Sequence, residues 1–469
     1  MSTIAAISTG LTPAGIAIIR MSGSDAISIA DLVFVGKKKL SKVKTHTIHY
    51  GVIKEDNEVL DEVLVSVMKG PKTFTGEDTV EINCHGGMLV ATRILNLLLM
   101  KGAEPAEPGE FTKRAFLNGR MDLSKAEAVM DVISAKNNYA LKAGVRQLQG
   151  NVSLKIKEIR ERILDECAFI EAAIDDPEHY DLTGYEEELR GRIEPILTEL
   201  HELLERSDYG SVLKEGVRTV IAGAPNAGKS SLLNLLSGFE KAIVTDIAGT
   251  TRDVLEVPVI LKDISLILLD TAGLRETEDT VEKIGVERAK EALATADLVL
   301  YVIDSTKGLS PEDEKTLATF SDKPVIRLFN KADLAESKVD GSASDGDSQS
   351  DSGENSARVG SEFAEPGIRF SCVTGLGKEA LEKEILTLFS SRKIAQNEDV
   401  VLTNERQKVL LRKAIGSMKL VLQGIDNALS EEFLTVDLVN AYKSLGEIIG
   451  EEVTDDVVNR VFEKFCMGK

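Results

Sequence analysis

The sequence predicts a multidomain chain of α/β and α type. An α+β domain is expected over residues 1–119. A helical domain follows in two parts, 120–214 and 382–469, with an α/β domain over 215–381 inserted between them. Three observations lead to this. Short apolar stretches alternate with turns up to about residue 118. Two blocks rich in Ala, Leu, Glu and Lys, with apolar residues three and four apart, flank the centre. Between them apolar strands alternate with helical segments, the rhythm of a sheet covered by helices.

In the first domain, 15–20, 63–68 and 79–84 read as strands, and 88–100 as a helix packed on them. From 124 to 175 the pattern turns helical. Ala128, Val132, Ala135, Leu141, Val145 and Leu148 form the stripe that should face a core. A further helix is expected over about 186–206, and the chain is helical again from about 404 to 464. An insertion explains two helical blocks around one α/β region, since domain termini often lie close together. The expected central strands are 217–222, 266–270, 298–304, 325–330 and 368–371. Residues 340–361 are Ser, Gly and Asp with almost nothing apolar. They cannot build a core and should form a disordered acidic surface loop, a tolerated insertion.

Composition narrows the function classes. At 469 residues the chain is too long for one ordinary core, and 43% apolar content excludes disorder throughout. Net charge is -21, from 56 basic and 77 acidic residues. Such a chain is a poor blanket binder of nucleic acid and would engage RNA through local patches. No apolar run reaches a membrane-spanning length, and MSTIAAISTG lacks the basic start of a secretory signal. Cys84, Cys167, Cys372 and Cys466 lie far apart with no CxxC pair. Neither a disulfide framework nor a zinc site is expected, and a cytoplasmic location fits. Trp is absent and aromatics are 4%, so no base-stacking surface is advertised.

The chemistry is concentrated in the centre. Residues 223–230 read GxxxxGKS, directly after an apolar strand and before a helix start. That context gives a phosphate-binding loop. Its amides, with Asn226, Ala227, Gly228 and Ser231, can curl around phosphates at a helix N-terminus. Lys229 reaches the β- and γ-phosphates, and Ser230 offers a hydroxyl to Mg²⁺. Asp270, Thr271, Ala272 and Gly273 follow a second strand. The carboxylate can hold the magnesium hydration shell, and Gly273 can offer its amide to the γ-phosphate. Asn330, Lys331, Ala332 and Asp333 end another strand. Asp333 can accept from the N1 and N2 donors of guanine while Asn330 works at the other edge. Ser371 and Cys372 would close over the base. These features imply GTP as the nucleotide.

Gly249, Thr250, Thr251, Arg252 and Asp253 lie between the two phosphate motifs. Thr251 is the natural second protein ligand of Mg²⁺, in a segment ordered by GTP. A second switch is expected over 274–288. Leu274 stands where Ras-like proteins carry a water-orienting glutamine. Arg275, Glu276, Glu278 and Glu282 are candidates for that duty, and residue types alone do not choose among them.

The motifs GxPNxGKS, GTTRD, DTAGLR and NKAD, the stretch PGEFTKRAFLNGRMDL over 108–123, and the ending Cys466, Met467, Gly468, Lys469 together resemble one family. It is the tRNA-modification GTPase family, MnmE or TrmE, within the TrmE-Era-EngA-YihA-Septin-like GTPase superfamily. The resemblance covers essentially the whole chain. Only the acidic insertion at 340–361 departs from it.

The resemblance implies a Ras-like P-loop GTPase domain whose copies in a homodimer approach each other with GTP and K⁺. Asn226, Thr245, Ile247 and Thr250 would contact K⁺, with Asp246, Ala248 and Gly249 in the same nucleotide-binding segment. Glu282 matches the glutamate that orients water, acting beside Lys229. The N-terminal domain would resemble folate-binding aminomethyltransferases and hold 5,10-methylenetetrahydrofolate, with 5-formyltetrahydrofolate as an analogue. Arg20, Glu81 and Arg120 match that site, with Arg120 where many relatives have lysine. Lys469 carries over as a folate contact and Cys466 as a candidate reactive thiol. The family works on tRNA with the flavoprotein MnmG, also called GidA, in a heterotetramer or larger complex. Together they add a carboxymethylaminomethyl or aminomethyl group at C5 of wobble uridine 34. FAD and NADH would belong to that partner, since no GxGxxG follows a strand here. Two other readings stay open on residue types alone. One is a GTP-controlled assembly factor without a one-carbon role. The other is a signalling GTPase that needs an external activator.

Overall fold

The computed structural model describes residues 2–10, 12–176, 178–179, 184–238, 256–261, 264–269, 295–336, 366–389 and 400–468. The expected acidic loop at 340–361 lies outside them. The chain divides into two compact units. One comprises Met1–Met130, Arg146–Thr198 and Val409–Lys469; the other comprises Asp131–Val145 and Glu199–Lys408.

The first unit begins with β1 (Ile4–Ile7), β2 (Ala14–Ser22), α1 (Ala26–Val33), β3 (Phe34–Gly36), β4 (Thr47–Glu55), β5 (Glu58–Met68), β6 (Thr79–Gly86), α2 (Met88–Met100), β7 (Glu104–Pro105) and α3 (Glu110–Leu117). The strands form one sheet in the order β3-β4-β5-β6-β2-β1-β7. All pairs are antiparallel except β1 with β7. Period-two alternation decides which face is buried. Ile19 and Met21 on β2, Val63, Val65 and Val67 on β5, and Val80 and Ile82 on β6 share one core with Ala30 of α1 and with Ile94 and Leu98 of α2. Fully burying each large apolar side chain stabilises the fold by roughly 1.5–3 kcal/mol. The β4–β5 hairpin turns at Asp56 and Asn57, with Asp56 at φ 51. That is the backbone sign a two-residue hairpin turn needs.

Next come α4 (Leu123–Ser134), α5 (Asn138–Gln149), α6 (Asn151–Asp175) and α7 (Tyr185–Glu215). The predicted stripe holds at Ala128, which is fully buried, and fails after the break at 135–137. Leu141, Val145 and Leu148 are exposed, while Ala140 and Gln147 are buried. Asn137 explains the difference. Its Oδ1 accepts from Ala140 N at 2.7 Å and starts a new helix. A capped restart resets the helical phase, so the apolar spacing does not run through both helices on one face.

The second unit contains β8 (Val217–Gly223), α8 (Lys229–Ser237), β9 (Glu256–Leu261), β10 (Ile264–Leu269), β11 (Leu298–Asp304), α9 (Pro311–Ala318), β12 (Val325–Asn330), α10 (Ala332–Glu336), β13 (Ile368–Arg369) and α11 (Lys378–Phe389). Its sheet runs β13-β12-β11-β8-β10-β9, parallel except for β9 against β10. Near-continuous apolar strands suit a parallel sheet covered on both faces. Leu298, Leu300, Val302, Leu266, Leu268 and Leu328 are all buried in one core. Pro258 is tolerated because β9 is an edge strand.

The remaining helices are α12 (Glu405–Asp426), α13 (Glu431–Ile449) and α14 (Asp455–Phe462). Among the described residues, no helix is long and apolar enough to cross a membrane.

In the first unit α13 packs along α6. Arg160 of α6 lies over the Tyr442 ring at 4.0 Å and pairs with Glu451. Gly450 ends α13 at φ +90, and a Cβ there would come within 2.6 Å of Leu123 Cβ and 2.9 Å of Phe116. Phe462, the last residue of α14, and Phe465 just beyond it pack with Leu123 and Ala126. The tail then reaches the first strand: Ser8 Oγ donates to Gly468 O at 3.0 Å.

Gly450→Ala combines a left-handed backbone cost of roughly 1–2 kcal/mol with this clash. We expect a lower midpoint for the first thermal transition, by several degrees. An unchanged midpoint would show that the Gly450 contact contributes little.

Candidate functional site

Parallel register gathers the loops of the second unit at one end of its sheet. Gly223 pairs with Val302 and Asp304 with Asn330, so β8, β11 and β12 finish together. Ligands in open α/β sheets bind beyond these carboxyl ends.

The phosphate loop needs its glycines on steric grounds. Gly223 has φ +139, and a Cβ there would lie 2.2 Å from Val302 O. Gly228 has φ +111, and a Cβ there would lie 2.0 Å from Asn330 Nδ2. Asn226 adopts φ 62, which Asn tolerates better than most residues. Ala227 is buried, while Asn226, Ser230 and Ser231 are exposed. Lys229 opens α8 and turns back over the loop, its Nζ donating to Gly223 O at 2.8 Å and Ala224 O at 2.9 Å. Burial lowers its pKa. An ammonium held on the loop's own carbonyls is placed for a phosphate to capture.

Asn330 ties this loop to the loop at Ser371 and Cys372. It is 3% exposed. Its Nδ2 donates to Ala227 O at 2.8 Å, and its Oδ1 accepts from Cys372 N at 3.1 Å. By the chemistry of an amide each end has capacity for one further bond. Lys331 adopts φ 62 and its Nζ lies 2.7 Å from Asp304 Oδ2. Burial pushes Asp304 up, but the bonds from Lys331 and Thr306 outweigh it and hold the carboxyl below its ordinary value. Ser371 Oγ donates to Asp333 Oδ1 at 2.6 Å, fixing that carboxylate. Burial pushes the Cys372 thiol up to about 11, so it is no ready nucleophile.

The structure thus brings together Asn226, Ala227, Gly228, Lys229, Ser230 and Ser231 with Asn330, Lys331, Asp333 and Ser371. The two loops carry the donor set that a nucleoside phosphate and a first Mg²⁺ ligand require. Residues 245–251, 270–273 and 275–282, with Glu282, Thr251 and the other candidates in them, lie outside the described residues. So does Lys469.

A second group stands on the first unit. Arg20 on β2 faces Glu81 on β6, cross-strand partners in register, with Nε donating at 2.9 Å. The guanidinium also lies over Phe111 at 5.7 Å and Phe74 at 5.9 Å. Arg120 Nε donates to Thr73 O at 3.0 Å. Gly109, two residues before Phe111, donates from its backbone to Cys466 O at 3.3 Å. A Cβ on Gly109 would meet Phe465 at 2.7 Å. Cys466 is therefore docked by its backbone while its residue stays exposed. Arg20 thus reaches Phe111 through its guanidinium, and two residues earlier Gly109 reaches Cys466 through the backbone.

Sequence reasoning passed over Asp304, Phe74, Phe111 and Gly109. A carboxylate ending β11 beside the NKAD strand was a usable signal for Asp304. Nothing in the spacing announced the other three, because each acts through a tertiary contact. Arg114 was also passed over. It is 4% exposed and bonds Glu110 at 2.8 Å and Ser2 O at 2.6 Å, a structural cation within the 108–123 stretch.

Comparison with known proteins gives one answer. Residues 123–466 match a family model described as the MnmE helical domain. Residues 3–120 match one described as the GTP-binding protein TrmE N-terminus. A tRNA modification GTPase MnmE from Lachnoclostridium phytofermentans is 47% identical over 470 residues, covering 100% of this chain and 99% of its own length. That of Listeria welshimeri is 47% identical over 468 residues, again covering 100% and 99%. That of Acetivibrio thermocellus is 46% identical over 474 residues, with the same coverage.

Gly228→Ala puts a methyl group onto the Asn330 amide and so displaces both loops. We expect guanine-nucleotide affinity to fall at least about 100-fold, the scale of losing two bonds of a shared network and straining its loop. Calorimetric titration with GDP checks it; near-native affinity would show that the loops move independently.

Proposed function

This chain belongs to the MnmE, or TrmE, family of tRNA modification GTPases, and on that premise we propose that it is a potassium-dependent GTPase acting in modification of wobble uridine 34 of certain tRNAs. The observation that carries the reading is the pair of loops joined through Asn330, one for phosphates and one for guanine. In the same reading it works as a homodimer with a flavoprotein partner, MnmG, which holds FAD and NADH. The product carries a carboxymethylaminomethyl or aminomethyl group at C5. The domains are those read from the sequence: 1–119, 120–214 with 382–469, and the inserted 215–381.

The chain's own residues divide the work. Asp333, oriented by Ser371, accepts from guanine N1 and N2. Asn330 holds the base loop against the phosphate loop. Lys229 exchanges the carbonyls of Gly223 and Ala224 for phosphate oxygens. The loop amides at the start of α8 orient the phosphate chain. Ser230 and Thr251 would hold Mg²⁺, with Asp270 on its hydration shell and Gly273 at the γ-phosphate. Asn226, Thr245, Ile247 and Thr250 would hold K⁺. These cations supply positive charge against the negative charge that develops in phosphoryl transfer. Glu282 would orient the attacking water in place of the glutamine that Leu274 replaces.

The N-terminal unit would hold the one-carbon tetrahydrofolate. Arg20 and Glu81 already hold each other there, so a ligand meets a pre-oriented pair. Glu81 suits the pterin's donors, and Arg20 and Arg120 suit the anionic tail, with Lys469 as a further contact. Cys466 is the candidate thiol beside this group. The bound folate supplies the one-carbon unit; the GTP site gates the complex and takes no part in the base chemistry.

Hydrolysis measured in KCl against NaCl at equal ionic strength tests the potassium mechanism. We expect the rate in KCl to be at least about tenfold higher, since an equivalent transition-state cation is worth roughly 10³–10⁵. Equal rates in both salts would sink it.

A further inference from the structure

The turn that follows β11 carries groups that the nucleotide reading leaves without a role. Asp304 ends β11 in register with Asn330, the last residue of β12. The chain then folds back on itself. Asp304 O accepts from Lys307 N and Gly308 N, both at 3.0 Å, and Gly308 closes the turn at φ +74. Two sets of bonds run from this turn to the 330–333 loop. Ser305 donates to Asn330 O twice, from its backbone N at 2.8 Å and from its Oγ at 2.5 Å. Asp304 Oδ2 accepts from Lys331 Nζ at 2.7 Å.

The carboxylate is itself held. Its Oδ1 accepts from Thr306 N at 3.0 Å and from Thr306 Oγ1 at 2.7 Å. The two oxygens divide the work: Oδ1 fixes the turn and Oδ2 fixes Lys331. The Asp304 side chain is only 11% exposed, so water screens the pair less than it would on open surface.

Lys331 needs such a hold. It adopts φ 62, a left-handed backbone that costs energy for a residue with a Cβ. Strain of this kind persists only where neighbours over-determine it. Ser305 fixes the peptide on one side of that torsion, and Asp304 fixes the side chain on the other. The same bond decides what Lys331 offers a ligand. With its ammonium committed to Asp304, the four-carbon stem is the part left for a flat base bound at Asp333.

We propose that Asp304 is a positioning residue for the guanine nucleotide: it pins Lys331 so that the stem forms a wall for the base, and it thereby slows release of the nucleotide. The proposal rests on the guanine-nucleotide reading above. Asp304 touches no ligand and acts only through Lys331. Thr306 acts one step further back, by orienting the carboxylate.

The test follows dissociation of fluorescently labelled GDP from the full-length chain. Asp304→Asn keeps an oxygen for Thr306 and loses the charge that holds Lys331. It should speed release about tenfold and leave association nearly unchanged. Lys331→Met keeps an unbranched stem without the ammonium and should act by a similar factor. The double variant should release GDP no faster than Lys331→Met alone, because two residues that act through one bond are not additive. Thr306 is exposed, and Thr306→Val should move release in the same direction by a few-fold in a chain that still folds. Affinity should fall equally for GDP and for a nonhydrolysable GTP analogue, which carry the same base.

Native release rates in Asp304→Asn and Thr306→Val overturn the proposal. So does a double variant whose effect is the product of the two single ones, which would make Asp304 a part of the fold and not the holder of Lys331. Unequal losses for the two nucleotides overturn it too, by placing the effect at the phosphate loop. Failure of the unaltered chain to bind GDP would sink the guanine-nucleotide reading itself, and this proposal with it.

Discussion

The side chain of Asn330 is the constraint on which the nucleotide site depends. It bonds Ala227 O on one loop and Cys372 N on another. It also lies where any side chain at residue 228 would stand, which makes Gly228 obligatory. Each neutral hydrogen bond contributes only about 1 kcal/mol net, but leaving either buried partner unmade costs 1–3 kcal/mol. The network is therefore worth more as a specification of geometry than as stability. It keeps the 223–230 loop and the loop at Cys372 at one spacing without a ligand, which would lower the ordering cost of binding one.

Supporting contacts extend the same logic. Asp304 holds Lys331 and Ser371 holds Asp333, so both charged residues of the 330–333 loop are fixed by neighbours within the fold. In the N-terminal unit, cross-strand register places Arg20 against Glu81, and two phenylalanine rings flank the guanidinium. The C-terminal tail is held by Gly109 and Ser8. Candidate chemistry from both ends of the chain thus stands on one compact unit.

The sequence was most legible where stereochemistry admits few residues. A loop that curls around phosphates demands glycine at fixed places, so residues 223–230 announced themselves. The apolar strands β11 and β12 were read to their ends because a parallel sheet buried on both faces leaves unbroken apolar runs. Strand β4 was missed because only Gly51 and Ile53 on it are buried, and a half-exposed strand has a weak pattern. Strand β9 was missed because Pro258 argues against a strand unless its edge position is known. The outward phase of Leu141, Val145 and Leu148 was not legible either, since one capping bond from Asn137 decides it. The roles of Phe111 and Gly109 come from contacts distant in sequence, which spacing does not encode.

The central claim joins a guanine-nucleotide switch to a change in tRNA chemistry. Mass spectrometry of wobble uridines from cells lacking this chain, with and without the restored gene, tests it most directly. The account predicts that uridine 34 loses its C5 aminomethyl-type group in the affected tRNAs and regains it on restoration. Wobble uridines that remain fully modified without the chain would contradict it.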